Sequence, residues 1–262
     1  MWPALVFDAP GVTPSPRLRG EAWGEGRTLR TLTLNHSQDP FSPLTLSLSP
    51  QAGRGDDKAE LRERFKEVRA SIPTDVATKA ALALAETAPP FLTRLAGKAG
   101  LAPAEAPVAL YFALPGELDS SALLGALAAL GFPTLLPCAG AKATPLAFRL
   151  WRPGDPLVAG RFGLREPSPA APDIAPKVVL APLLAFDARG GRLGFGGGYY
   201  DATLAALRAQ ATFLAAGGLA FARQEAPKLP TEKHDAALDF VITEEKIFDI
   251  AGDRCGFSSS AT

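Results

Sequence analysis

From about Lys58 onward, helical and strand-like rhythms of apolar residues alternate along the chain. In KAELRERFKEVRA (58–70), Leu61, Phe65 and Val68 recur at helical spacing with charges between them, which predicts a helix. Thr74 to about Leu95 is Ala-rich and predicts a second helix. An interruption is expected at Pro89-Pro90, where two backbone donors are missing. VALYFAL (108–114) suits a buried strand. Asp119–Leu130 puts Leu123, Leu124, Leu127 and Leu130 on one helical face, and Gly131 stops it. Strands are expected at Thr134–Ala139, despite Pro137, and at Phe148–Trp151, before a Pro/Gly-rich loop over 152–177. Val178–Asp187 (VVLAPLLAFD) carries the strongest buried-strand signal. A glycine-rich turn follows, then a helix from about Tyr199 to Gln210 and strands within Ala211–Leu219 and Phe240–Thr243. Strands alternating with helices predict an α/β fold: a mostly parallel sheet flanked by helices in a single domain.

Residues 1–57 break this rhythm. They are rich in Pro, Gly, Ser, Arg and Thr, and Gly11 to Gly55 has neither period. No basic and apolar leader pattern is present, and Glu21, Glu25 and Asp39 interrupt any Arg-rich transit pattern. The expectation is a disordered extension that cannot bury enough apolar surface to offset its ordering entropy. SPRLRGE (15–21) and LSPQAGRG (48–55) resemble the two arms of an inverted repeat read through as protein. On that reading translation starts near Gly55 to Lys58, at a non-standard codon, because Met1 is the only methionine. The folded domain is then expected over 58–250, with 251–262 a flexible tail.

Composition narrows the function. The 262 residues include 27 Lys+Arg and 27 Asp+Glu, a balance that argues against a general nucleic-acid binder. Cys138 and Cys255 are too few and too far apart for a disulfide framework or a metal cluster, which fits a reducing cytoplasm. His36 and His234 alone cannot build a multi-His metal site. No stretch reaches the roughly 18 apolar residues of a spanning helix.

The chemistry concentrates in DARGGRLGFGGGYYD (187–201), where six of the nine residues 190–198 are glycine. Such a loop, leaving a strand and opening a helix, directs backbone N–H groups and the positive helix end toward an anion, most often phosphate. Arg192 can add a forked contact. Asp201 falls in the first helical turn, where it is either a helix-start acid or a hard oxygen ligand for Mg²⁺. No Gly-Lys-Ser/Thr follows, so this is not a Walker loop, and Phe195 and Tyr199-Tyr200 fit a dinucleotide fingerprint poorly.

Arg192-Leu193-Gly194-Phe195-Gly196-Gly197-Gly198-Tyr199-Tyr200-Asp201, preceded by Ala181–Asp187, resembles the signature of the 5-formyltetrahydrofolate cyclo-ligase family. The resemblance covers most of residues 58–248. Lys58-Ala-Glu-Leu-Arg62 resembles the family's N-terminal Lys-x-x-x-Arg, which sets two cations on one helix face. Tyr111–Ser120 is similar to its substrate-contacting segment, with Ser120 where the family usually has Thr. Phe162–Pro167 is similar to its Phe-Gly-Ile-x-Glu-Pro element, and Leu229–Asp235 with Leu238–Thr243 to its closing motif.

The resemblance implies a cytoplasmic, monomeric ATP- and Mg²⁺-dependent ligase acting on a reduced folate. It implies that Lys58 and Arg192 are catalytic. ATP would be bound by Lys58, Arg62, Arg192, Leu193, Gly194, Phe195, Gly196, Gly197, Gly198, Tyr199 and Tyr200. The folate would contact Glu117, Phe195, Gly196, Gly197, Gly198 and Tyr199, and Mg²⁺ would be held by Asp201 and Asp235. His234 is assigned no catalytic role, Asp119 is read as a capping acid, Trp151 as a core or substrate-side residue, and Cys138 as a small buried residue. Two other classes remain in view: a non-catalytic folate or nucleotide binder on the same scaffold, and a sugar-phosphate isomerase or transferase that needs no ATP.

Overall fold

Along each central strand, alternate residues face opposite helical layers, which is why the strand segments read as continuous apolar runs. The computed structural model describes residues 54–254. The strands are β1 (Val108–Ala109), β2 (Thr134–Cys138), β3 (Ala147–Leu150), β4 (Leu157–Ala159), β5 (Arg165–Pro167), β6 (Val178–Pro182), β7 (Ala185–Phe186), β8 (Arg192–Leu193), β9 (Ala215–Leu219), β10 (Phe240–Ile242) and β11 (Ile247–Phe248). The helices are α1 (Arg54–Ala70), α2 (Thr74–Lys98), α3 (Ser121–Ala129), α4 (Tyr199–Arg208) and α5 (Ile250–Arg254). A seven-stranded sheet runs β11-β10-β9-β6-β1-β2-β3, parallel within β10 to β2 and antiparallel at both edge strands.

Val108, Leu110, Val178, Leu180, Phe240 and Ile242 pack with Leu84, Leu92, Leu123 and Leu127 of α2 and α3 on one face. Ala109, Val179, Ala216 and Val241 pack with Leu204 and Leu207 of α4 and Ile250 of α5 on the other. The chain leaves β1 through α3 to reach β2 on one side, and leaves β6 through α4 to reach β9 on the other. The strand order therefore reverses between β1 and β6. In open α/β sheets, the crevice beyond the carboxyl ends of such strands is where ligands bind.

The structure departs from the sequence expectations at several points. The helix expected from Lys58 begins at Arg54, so the last four residues assigned to the extension, Arg54 to Asp57, open α1; the remainder of 1–57 lies outside the described residues. Likewise α5 takes the start of the expected tail, and 255–262 lie outside the described residues. The second helix runs unbroken through Pro89-Pro90. A proline in a helix interior costs about 3 kcal/mol. Two of them cost about 6 kcal/mol, and burying Leu84, Phe91 and Leu92 on either side stabilises by about 1.5–3 kcal/mol each, a gain of the same size that offsets it.

The run 178–187 is two strands. β6 belongs to the main sheet, while β7 pairs antiparallel with β8 in a separate ribbon, so Arg192-Leu193 is strand and not turn. The break falls at Leu183-Leu184, whose carbonyls both accept from Nε2 of buried Gln224 at 2.9 Å. That amide supplies the donors the sheet no longer provides. The run 108–114 keeps only β1 as strand. The loop 152–177 contains the β4–β5 hairpin, held to the end of β2 by the Ala139 amide donating to Glu166 at 3.0 Å.

Candidate active site

Helix α1 reaches the sheet's carboxyl edge because its apolar stripe has a partner there. Leu61 and Phe65 are buried against Leu184, Ala185 and Leu193 of the β7–β8 region, and against Ala226 and Leu229. Lys58, Arg62 and Arg69 occur at i, i+4 and i+11, on one stripe beside that apolar face. Arg62 Nε donates to the Gly194 carbonyl at 3.0 Å and so touches the glycine loop itself. Lys58 Nζ sits 2.8 Å from Asp235 Oδ2 and 3.0 Å from Glu232 Oε1. Burial works against the Lys58 charge, but hydrogen bonds to Asp235 and Glu232 more than offset it and raise its pKa. Burial works against the Asp235 carboxylate too, and the bond from Lys58 with one from the Glu232 amide lowers its pKa.

The glycine loop is bent where only glycine is comfortable. Gly196 has φ +91° beside the Arg62 guanidinium, and Gly198, the residue that starts α4, has φ +71°. Behind the loop, Asp187 is fully buried. Its carboxylate accepts from the amides of Arg189, Gly191 and Leu229 and from Arg189 Nη2, at 2.8–3.0 Å. Burial alone would raise the Asp187 pKa, but these bonds, the Leu229 amide first, pull it down.

Arg192 Nη2 donates to Asp201 Oδ1 at 2.6 Å, and its guanidinium lies over Tyr200 at 5.5 Å. Its side chain is 5% exposed, and Nη1 is buried with no hydrogen-bond partner. Phe195 stands out from the loop, 48% exposed.

The two expected metal-holding acids are linked through the backbone at Ala236. Asp201 Oδ1 also accepts from the Ala236 amide at 3.1 Å, next in chain to Asp235. Arg192, Asp235 and Asp187 line a cavity of about 200 Å³ there. Among the described residues no three His, Cys, Asp or Glu side chains gather as a complete metal site. Two carboxylates, each with one oxygen held by a cation, still suit Mg²⁺, which usually takes one or two carboxylates and completes its shell with phosphate oxygens and water.

Glu117 comes from the loop after β1. Its Oε2 accepts from the Leu114 amide at 2.9 Å, and its Oε1 lies 3.7 Å from Arg69 Nη1. Burial raises the Glu117 pKa. The loop is braced by Tyr111, whose hydroxyl donates to the Leu118 carbonyl at 2.7 Å, and by Ser120, whose hydroxyl donates to the Tyr111 carbonyl at 2.5 Å. Asp119 accepts from the Ser121 amide at 2.8 Å, at the start of α3. His234 is exposed, 3.3 Å from Glu232. Trp151 donates to the Asp155 carbonyl and packs on the α2–α3 side of the core. Cys138 is buried, and burial pushes its thiol pKa up.

Four participants escaped the sequence reading: Arg69, Glu232, Gln224 and, as a buttress, Asp187. Arg69 was detectable, since it falls seven residues after Arg62 on the same helical stripe. The other three act through backbone or through residues far away in sequence, and carried no local signal.

A glycine-lined loop near the switch point of a parallel sheet, opening α4 and touched by Arg62, gives this α/β protein the layout common to anion-binding loops. The profile of the 5-formyltetrahydrofolate cyclo-ligase family matches residues 54–244, and the chain belongs to that family, a family of ligases. It is 40% identical over 151 residues to a 5-formyltetrahydrofolate cyclo-ligase of Mycolicibacterium smegmatis, covering 53% of this chain and 74% of that protein. It is 35% identical over 147 residues to one of Escherichia coli, covering 54% and 80%. The fold is similar to that of a 5,10-methenyltetrahydrofolate synthetase from Mycoplasma pneumoniae (TM-score 0.55, 21% identity, 72% of this chain and 99% of that one). It is also similar to the Aquifex aeolicus 5,10-methenyltetrahydrofolate synthetase (TM-score 0.57, 23% identity, 78% and 96%).

Proposed function

We propose that the protein converts 5-formyltetrahydrofolate to 5,10-methenyltetrahydrofolate with cleavage of ATP to ADP and phosphate, acting as a cytoplasmic monomer. Membership of the cyclo-ligase family supports the overall reaction. The observation that carries the ATP-dependent mechanism is Arg192. A buried guanidinium with Nη1 lacking a hydrogen bond is costly unless an acceptor arrives, and a phosphate oxygen at the glycine loop is such an acceptor.

The formyl oxygen of the substrate attacks the γ-phosphorus of ATP, the bond to the bridging oxygen breaks, and ADP leaves with the electron pair. The folate N10 then attacks the formyl carbon and loses its proton. The carbon–oxygen bond breaks, and phosphate leaves with the former formyl oxygen. An amide oxygen is a poor leaving group; phosphate is a good one.

The protein's part is placement and charge neutralisation. Lys58, Arg62 and Arg192 bind phosphates, and the loop amides from Gly194 to Gly198 line the same anion. Phe195 and Tyr199 contact the pterin, Glu117 accepts from its N–H groups, and Tyr200 packs beneath the loop. Asp201 and Asp235 are the residues that would hold Mg²⁺, which when bound supplies charge neutralisation at the transferring phosphoryl group. No enzyme nucleophile is needed. Mixing protein, ATP, Mg²⁺ and 5-formyltetrahydrofolate should raise the absorbance of the methenyl chromophore. No rise, or a rise independent of ATP, would refute the reading.

A further inference from the structure

Next to the glycine loop lies a buried charged pair to which the phosphoryl transfer gives no complete task. Arg69, in the last turn of α1, is 9% exposed in its side chain, and its Nη1 is buried without a hydrogen bond. Glu117 is 5% exposed; one oxygen is taken by the Leu114 amide, and the other faces Arg69 Nη1 at 3.7 Å. That gap exceeds hydrogen-bond length. Phe195, exposed on the glycine loop, lies with its ring centroid 5.1 Å from the Arg69 guanidinium carbon. The backbone at Gly116 (φ +80°) turns past the same guanidinium, where an added Cβ would stand 3.7 Å from Nε.

Burying two charged groups this close without a bond between them forfeits most of what pairing would return. Burial raises the pKa of Glu117 and lowers that of Arg69, and their mutual attraction does not cancel either shift. One free donor and one free acceptor therefore stand side by side beneath an exposed aromatic ring.

We propose that Arg69 Nη1 and Glu117 Oε1 form a two-point recognition element for a cyclic amide edge, with Arg69 donating to a ring carbonyl oxygen, Glu117 accepting from the adjacent ring N–H, and Phe195 against the ring face. This rests on the reduced-folate reading and deepens it. A pterin carries such an edge in its C4 carbonyl and N3–H. Arg69 is then a specificity-determining residue that selects 4-oxo over 4-amino pteridines. The 4-amino ring presents a donor to the Arg69 donor and a bare nitrogen to the Glu117 carboxylate.

The test is calorimetric binding of two probes, 5-formyltetrahydrofolate and its 2,4-diamino analogue, to the full chain and to Arg69→Met. The wild type should prefer the 4-oxo probe by about 100-fold, since a site built to hydrogen-bond a group strongly rejects its absence. Arg69→Met should bind the 4-oxo probe about 10-fold or more weakly and lose most of the preference. Equal affinity of the wild type for both probes would overturn the proposal, and needs no variant to fold. So would a folded Arg69→Met that weakens both probes alike or changes neither. A wild type that binds neither probe would instead sink the reduced-folate reading itself.

Discussion

The glycine loop stands on Asp187, and replacing it by Asn tests that dependence quantitatively. The buried carboxylate takes N–H bonds from the Arg189, Gly191 and Leu229 amides and a charged bond from Nη2 of Arg189, whose own side chain is half exposed. Gly191 approaches so closely that an added Cβ would lie 2.9 Å from either carboxylate oxygen, so the site has no slack for rearrangement. Asparagine keeps the shape but presents an NH₂ to donors that one oxygen formerly satisfied. Two charge-assisted bonds are lost at about 1.5–3 kcal/mol each, giving about 3–6 kcal/mol in all. In a domain of this size that lowers the melting temperature by roughly 6–24 °C. The folded-state pKa of Asp187 is depressed, so its contribution is fully present above the ordinary carboxylate value of about 3.9 and is lost as pH falls from there through the lower folded value. Melting curves by circular dichroism should therefore show a wide gap between wild type and Asp187→Asn at pH 7 that narrows below about pH 4. A gap under about 2 °C at pH 7, or one that widens in acid, would refute the buttress.

Other outcomes follow from the same geometry. Arg192→Ala should lower turnover by about 10²–10³-fold, the loss typical of removing one preorganised transition-state donor, and unchanged turnover would take Arg192 out of the site. Asp201→Asn should raise the Mg²⁺ concentration needed for half-maximal rate; a titration matching the wild type would leave Asp201 only its bonds to Arg192 and the Ala236 amide. A chain beginning at Arg54 should keep the melting temperature and turnover of the full chain, and a large loss in either would show that the preceding residues contribute.

The parallel α/β architecture was legible because its signal is periodic. Leucines at helical spacing in α3, and the apolar run at β6, report burial of the kind those elements give. What stayed hidden was decided by single distant side chains. The break between β6 and β7 depends on Gln224, forty residues later, and both halves of the run are equally apolar. The unbroken α2 depends on core packing that offsets two prolines, a balance local rules cannot strike. At the candidate site, the glycine loop and the Lys58–Arg62 pair were legible as dense local patterns. The Lys58 bonds to Glu232 and Asp235, and Asp187 holding the Leu229 amide, join positions remote in sequence and had no such pattern.

The central claim is that a nucleotide activates the formyl oxygen by phosphorylating it. The most direct measurement uses 5-formyltetrahydrofolate labelled with ¹⁸O in the formyl group, turned over with ATP and Mg²⁺, with the released phosphate examined by mass spectrometry. Phosphorylation of that oxygen places the label in inorganic phosphate, one atom per turnover. Methenyl product formed alongside unlabelled phosphate would contradict it.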